Sequence, residues 1–460
     1  MAHPLQHACV LLLLSALSLA CFADAHYKPT GHTQGGRKGQ VNDISAAPRV
    51  VTNVIFMVGD GMGPDQLELA RYVTGTNKLV MEELDPKPAI MTTYSLDGVT
   101  DSAAAATAMA TGYKTHNGWI GMLSDGSKPE TVLERAKAIG KSTGIVTDAS
   151  IYGATPAAFV AHLENRDFGQ KLTDQIASLE IEVLFGGGYG MWIPMGVKGS
   201  TRDDERNLIQ EKLNAGWAYV GNRDDLLSLP QDTNKAIGLF SPAEMTYTID
   251  LEEEMTSGIE PSLPEMTSTA LTVLSNNSRG FFLMVEGAMI DWGGHSHDAG
   301  FLISELVEFD AAVEVAKSFV DNHPDTLLIV TADHECCGLK FTGKEDKAAI
   351  MSQSATGEWI SGQIIDGAPL AEIMKDYGNV TELTGEERQL ISENHYVGDV
   401  LSRRQNVSWA QFGSADEGEH TGVNVKVFAY GAEAETFDGV LDNTELGKKL
   451  FYAVSGSAAN

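Results

Sequence analysis

Short apolar runs recur along the chain, each closing on a polar or acidic residue: VIFMVGDG (54–61), TGIVTDAS (143–150), GFFLMVEG (280–287) and TLLIVTADHE (326–335). Runs of this length predict buried strands. Between them, ETVLERAKAIG (130–140) and ISELVEFDAAVEVAKSFV (303–320) repeat apolar residues at helical spacing, which predicts amphipathic helices. Alternating buried strands and helices predict an α/β fold, with a doubly wound, mainly parallel central sheet and helices on both faces. Ligands bind such sheets beyond the carboxyl ends of the strands. The Asp and Glu residues that close these runs are therefore placed where one pocket can collect them.

The start of the chain follows another pattern. Val10–Ala20 reads VLLLLSALSLA, and Ala23 and Ala25 fit an A-x-A cleavage site. This predicts a signal peptide over 1–25 and a secreted or periplasmic protein. The run is too short to span a bilayer, and no other segment approaches the roughly 20 apolar residues that spanning needs. Residues 26–48 lack periodicity and predict a flexible leader. The folded domain is then 49–460, with insertions near 186–260, loop-rich and holding the acidic run Asp250–Glu254, and near 343–412. Asn276, Asn379 and Asn406 sit in glycosylation sequons, which we read as chance matches.

Composition sharpens this picture in two ways. A formal net charge of -31 argues against a nucleic-acid binder, because phosphate backbones select basic surfaces. If the substrate is itself an anion, the site needs local positive charge, and metal ions are the obvious source. Of the 4 cysteines, Cys9 and Cys21 fall in the signal. Only the neighbours Cys336 and Cys337 remain, which excludes a long-loop disulfide framework; they read as buried thiols rather than metal ligands.

Metal-binding residues are spread over several motifs. In EGAMIDWGGHSHD (286–298), Asp291 and His295 stand four residues apart and would share one helical face; His297 is the weaker candidate. TADHE places Asp333 and His334 at a strand end, GEHTG sets His420 between glycines, and VGDG sets Asp60 after the first strand. Singly, each is as well explained by a cap or a turn. Jointly they supply ligands for two zinc-like ions, with Glu286 and Thr155 as hard oxygen ligands for magnesium. Two metals suit the in-line displacement of a phosphoryl group. Ser102, in TDSAAAATAMATG, is the candidate nucleophile, at a helix start whose N–H groups can face phosphate. The alternative is that Asp101 or Ser102 simply caps an alanine-rich helix. Arg166, after ATPAAFVAH, can grip two phosphate oxygens, though spacing alone does not separate it from a solvated charge.

Taken in this order, VGDG, TDSAAAATAMATG, ATPAAFVAH with Arg166, GFFLMVEGAMIDWGGH, VTADHE and GEHTG resemble the alkaline phosphatase family of secreted bacterial type, across roughly residues 50–430. The resemblance implies a phosphomonoesterase with two Zn2+ and one Mg2+. It implies that Ser102 becomes phosphorylated and that Arg166, oriented by Asp101, grips phosphate. Asp291, His295 and His420 would form one zinc site, serving the attacking water and the leaving oxygen. Asp60, Asp333 and His334, with Ser102, would form the second, while Asp60, Thr155 and Glu286 hold magnesium. Two displacements, through a phosphoserine, would retain configuration. A homodimer is common in the family. Gly153 and Trp292 depart from the best-known bacterial pattern: glycine brings nothing to the third metal's water shell, and Trp292, at the substrate-binding position, offers phosphate no cation. Faster phosphate release is expected. A relative acting on phosphodiesters or sulfate esters, and a non-catalytic phosphate scavenger, are the competing readings; the first usually places its nucleophile in another motif, and the second has no need of the metal ligands.

Overall fold

The computed structural model describes residues 51–394, 397–410 and 419–457. The expected signal peptide (1–25) and leader (26–48) lie outside the described residues.

The strands are β1 (Asn53–Gly59), β2 (Ala89–Thr92), β3 (Ser142–Ser150), β4 (Val183–Gly187), β5 (Ala218–Val220), β6 (Ala236–Leu239), β7 (Phe281–Gly287), β8 (Thr326–Ala332), β9 (Glu335–Cys336), β10 (His420–Thr421), β11 (Val425–Gly431) and β12 (Val440–Asp442). Strands β1, β7 and β8 are buried at every residue. That is why they read as unbroken apolar runs: helices cover both faces of a parallel sheet, so no strand face is left to be polar. Among the described residues the central sheet has 10 strands in the order β12-β2-β11-β8-β1-β7-β3-β4-β6-β5. Only β11 is reversed, pairing antiparallel with β2 and β8. The fold is the expected α/β one, with a mainly parallel central sheet.

Register decides what the sheet presents at its carboxyl edge. Gly59 pairs with Gly287 on one side and with Ala332 on the other, and Glu286 pairs with Thr147 of β3. Strands β8, β1 and β7 thus end at one level, and β3 runs on past it to Ser150. The residues just past them, Asp60 and Asp333, and the last acidic side chain of β7, Glu286, open onto one place.

The stretch 186–260, read as loop-rich, also extends the sheet: β6 pairs parallel with β4, and β5 with β6. Three- and four-residue strands are too short for periodicity to register. In the stretch 343–412 the described part is helical, comprising Lys347–Met351, Gly357–Ile365, Leu370–Gly378, Gly385–Asn394 and Val397–Arg404. It has its own apolar cluster around Ile360, Met374, Val400 and Leu401. Among the described residues, no helix is long and apolar enough to cross a membrane.

The helix Ser102–Thr111 is buried along its whole length, so its alanines serve packing. A Cβ at Gly447, in the helix Asn443–Ser455, would lie 2.6 Å from Ala108 O and 2.8 Å from Met109 O. Side chains larger than alanine on that face would overpack the crossing.

Candidate active site

Ser102 is the first residue of its helix, and Asp101 is the N-cap. Asp101 Oδ1 accepts from Ala104 N at 2.9 Å, while Oδ2 accepts from Gly118 N at 2.9 Å and from Arg166 Nη1 at 3.1 Å. One carboxylate therefore caps the helix and aims the guanidinium. The cap and the functional reading of this pair coexist, with the cap carried by Asp101 and Ser102 left free to face the strand ends.

There, Ser102 Oγ lies 3.3 Å from His334 Nε2 and 3.5 Å from Asp60 Oδ1. His334 Nε2 stands 3.1 Å from Asp333 Oδ2 and 3.4 Å from Asp60 Oδ1. All of these side chains are buried. Asp333 Oδ1 is anchored by the N–H groups of Gly61, at 3.1 Å, and His334, at 2.8 Å, which leaves Oδ2 turned to the group. Asp60, Asp333 and His334 form one candidate metal group.

A second group joins Asp291, His295 and His420, with Cys336 within ligand range. The helix Met289–His295 puts Asp291 and His295 on one face, Oδ2 to Nε2 3.0 Å. His420 arrives from the far end of the chain because β10 pairs antiparallel with β9, His420 opposite Cys336. Its Nε2 lies 3.2 Å from His295 Nε2 and 3.6 Å from Asp291 Oδ1. Its Nδ1 donates to Thr100 O at 2.9 Å, which fixes the tautomer and frees Nε2 as an acceptor. The rings of His334 and His420 stack with centroids 3.5 Å apart, so the two groups adjoin.

Beside them Glu286 Oε2 accepts from Thr147 Oγ1 at 2.5 Å, and Thr155 Oγ1 is buried without a hydrogen-bond partner. Burial, and then the neighbouring charges of Asp333, Asp291 and Glu286, push the Asp60 carboxyl well above its ordinary range. Burial lifts Glu286 to about 7. So many carboxylates in a buried site are unfavourable unless cations sit among them. Asp291 Oδ1 and His334 Nδ1 are likewise buried with no hydrogen-bond partner. This donor set, nitrogen and oxygen in two tight groups, fits divalent metal ions.

Above the groups is a cavity of about 530 Å3, lined by Asp101, Ser102, Arg166, Trp292, His295 and His420 among others. Trp292 stands edge-on to Tyr247, ring centroids 6.2 Å apart, and offers the cavity an indole face without charge.

Two assignments go differently from the sequence pattern. His297, the weaker candidate, joins neither metal group; its Nδ1 lies 2.7 Å from Asp399. Cys336 stands within the candidate metal group of Asp291, His295 and His420 and not merely behind it. Sequence reading also passes over Glu335, whose carboxylate accepts from Gln66 Nε2 at 2.8 Å, Leu339 N at 3.1 Å and Gly338 N at 3.2 Å, and also from Thr421 Oγ1. It fastens the turn after Asp333-His334 to the strand that carries His420. The only signal for it was its place in TADHE.

The family model for alkaline phosphatase matches residues 51–455. Alkaline phosphatase 3 of Bacillus subtilis (strain 168) is 32% identical over 474 residues, covering 96% of each chain. The crystal structure of Thermus thermophilus alkaline phosphatase superposes with a TM-score of 0.78 at 26% identity, covering 94% of this chain and 96% of that one. The cold-active alkaline phosphatase from a psychrophilic Shewanella sp. superposes with a TM-score of 0.75 at 30% identity, covering 87% and 99%. With strand ends, helix start and ligand groups assembled in this way and a family match across almost every described residue, the chain belongs to the alkaline phosphatase family of enzymes.

Proposed function

We propose that this chain is a secreted or periplasmic phosphomonoesterase that uses two zinc ions and one magnesium ion and works through a phosphoserine at Ser102. The observation that carries the reading is the position of Ser102 Oγ, 3.3 Å from His334 and 3.5 Å from Asp60, at a capped helix start facing Arg166 across one cavity. Asp291, His295 and His420 would hold one zinc. Asp60, Asp333 and His334 would hold the other, and Thr155 and Glu286, with Asp60, the magnesium. When bound, such ions supply positive charge that favours the serine alkoxide and offsets the charge of the phosphoryl group.

The chain's own residues supply the rest. Arg166, held by Asp101, binds two phosphate oxygens, and the N–H groups at the start of the helix Ser102–Thr111 face the anion. Ser102 Oγ attacks phosphorus, the alcohol leaves with a proton, and phosphate is now esterified to Ser102. Water then attacks the same phosphorus, Ser102 leaves, and inorganic phosphate departs. Two in-line displacements retain configuration. Trp292 contributes shape but no charge, so product phosphate is gripped by Arg166 alone among the cationic side chains lining the cavity. Small phosphate monoesters are the substrates; nucleic acid and membrane surfaces are not proposed as partners. A homodimer is part of the proposal, and sedimentation tests it.

The deciding experiment compares hydrolysis of p-nitrophenyl phosphate by wild type and Ser102→Ala, with zinc and magnesium measured in both. Activity falls by several orders of magnitude in the variant while metal is retained. Equal activity would remove the serine mechanism.

A further inference from the structure

The three histidines of the two ligand groups differ in what stands behind them. His420 Nδ1 donates to a backbone carbonyl, Thr100 O, at 2.9 Å. His334 Nδ1 has no hydrogen-bond partner. His295 Nδ1 instead faces the sulfur of Cys337 at 3.8 Å, a hydrogen-bond length set by the large radius of sulfur. Imidazoles that bind metals generally donate their second ring N–H to a carboxylate, carbonyl or water, and that contact fixes both the tautomer and the ring plane.

The turn carrying Cys337 is built to hold this sulfur in place. Cys337 is fully buried and has φ +62°, in the left-handed region, which is strained for a non-glycine residue and persists only where the surroundings impose it. They do: Cys337 N donates to Glu419 O at 3.2 Å, Cys337 O accepts from Ala410 N at 3.2 Å, and the next residue, Gly338, donates to Glu335 Oε2 at 3.2 Å. The same pairing that delivers His420 therefore turns Cys337 toward His295. Cys336 Sγ, its neighbour, lies 3.0 Å from Cys337 Sγ and 3.5 Å from the backbone carbonyl of Asp291.

We propose that Cys337 is a positioning residue: its sulfur accepts the Nδ1–H of His295 and so holds Nε2 toward Asp291 and His420, where a metal binds. This rests on the reading that Asp291, His295 and His420 hold one of two zinc ions. A thiol is a weaker acceptor than the carbonyl that serves His420, so His295 is the more loosely oriented of these two ligands.

The test is the release of zinc from the loaded, full-length protein to a chromogenic chelator, in wild type, Cys337→Ala and Cys337→Ser. Serine's shorter side chain draws the acceptor away from His295, so both variants lose the contact, and serine keeps a small polar group for folding. One zinc equivalent should leave roughly 10- to 100-fold faster in each variant, the range found when such partners of metal-binding residues are removed, and the other at the wild-type rate. In protein labelled with 15N at histidine, the Nδ1–H resonance of His295 should shift in the variants while that of His420 stays. Wild-type release of both equivalents overturns the proposal, and so does equal acceleration of both, which would mean lost packing. If wild type itself fails to hold two zinc ions, the two-zinc reading falls and this proposal with it; two retained ions with unchanged release sink this proposal alone.

Discussion

His297 Nδ1 lies 2.7 Å from Asp399 Oδ1 with both side chains buried. The contact joins the turn directly after His295 to the helix Val397–Arg404 in the stretch 343–412. Ser402 Oγ donates to His297 O at 2.5 Å, Trp409 Nε1 donates to Ser402 Oγ at 3.1 Å, and the His297 and Trp409 rings stack at 5.3 Å. The helical segment thus clamps the loop that ends the helix carrying Asp291 and His295. Asp399→Ala removes the carboxylate from its buried contact with His297 and should destabilise the protein by about 3–5 kcal/mol in urea unfolding. Asp399→Asn keeps an acceptor oxygen and should lose less.

Asp101 serves the helix and Arg166 with the same carboxylate. Asp101→Ala should cost about 1 kcal/mol of stability through the lost cap. It also frees the guanidinium, so the inhibition constant for inorganic phosphate should rise roughly tenfold, equivalent to about 1.4 kcal/mol. Competition against p-nitrophenyl phosphate measures it; an unchanged constant would show that Arg166 is held by other means.

Trp292 brings an uncharged face to the cavity. Trp292→Lys places a cation there, and phosphate inhibition should tighten while product release slows. Tight inhibition already present in wild type, and unaltered by the lysine, would contradict the reading.

Gly61 has φ +68°, and a Cβ there would stand 2.7 Å from Asp291 Oδ1 and 2.8 Å from Asp291 Cα. The backbone can approach Asp291 this closely only because the side chain is absent. Gly61→Ala should displace Asp291 and lower zinc content measured after gel filtration, with most of the activity lost.

Asp250 accepts from Thr356 N and Oγ1, both at 2.7 Å. Burial nonetheless raises its carboxyl to about 7, against the lowering effect of those bonds. The folded value lies above the unfolded one near 4, so the folded chain keeps a proton that the unfolded chain has released. The stability it contributes is complete below about pH 4 and is lost as pH rises through about 7, with an upper bound of ~4 kcal/mol. Asn at this position can still accept from Thr356 N and can donate to Thr356 Oγ1. Asp250→Asn should therefore gain on wild type in melting temperature as pH rises from about 5 to about 8. A difference that stays flat across that range would remove the assignment.

Local pattern was enough for the core of the fold. A strand buried on both faces must be apolar throughout, so β1, β3, β7 and β8 announce themselves in sequence, and helical spacing does the same for the long helix Ala299–Asn322. The spacing of Asp291 and His295 follows from helix geometry alone, and the adjacency of Asp333 and His334 needs only a strand end. The strands β5 and β6, at one end of the sheet, were hidden because short strands carry too little periodicity to stand out from loop.

What the sequence by itself determined is therefore each residue's local setting: which runs are strands, which pairs share a helical face, where a helix begins. Tertiary structure decided everything that depends on register and pairing between distant segments. Aligned ends of β8, β1 and β7 bring Asp333, Asp60 and Glu286 to one level. The β9–β10 pair carries His420 across to His295 and turns Cys337 behind it. Two residues beyond His295 the backbone enters the left-handed region at His297, φ +47°, and sends that side chain to Asp399 instead of to either candidate metal group. No local spacing encodes that choice, because it rests on a partner about a hundred residues further along the chain.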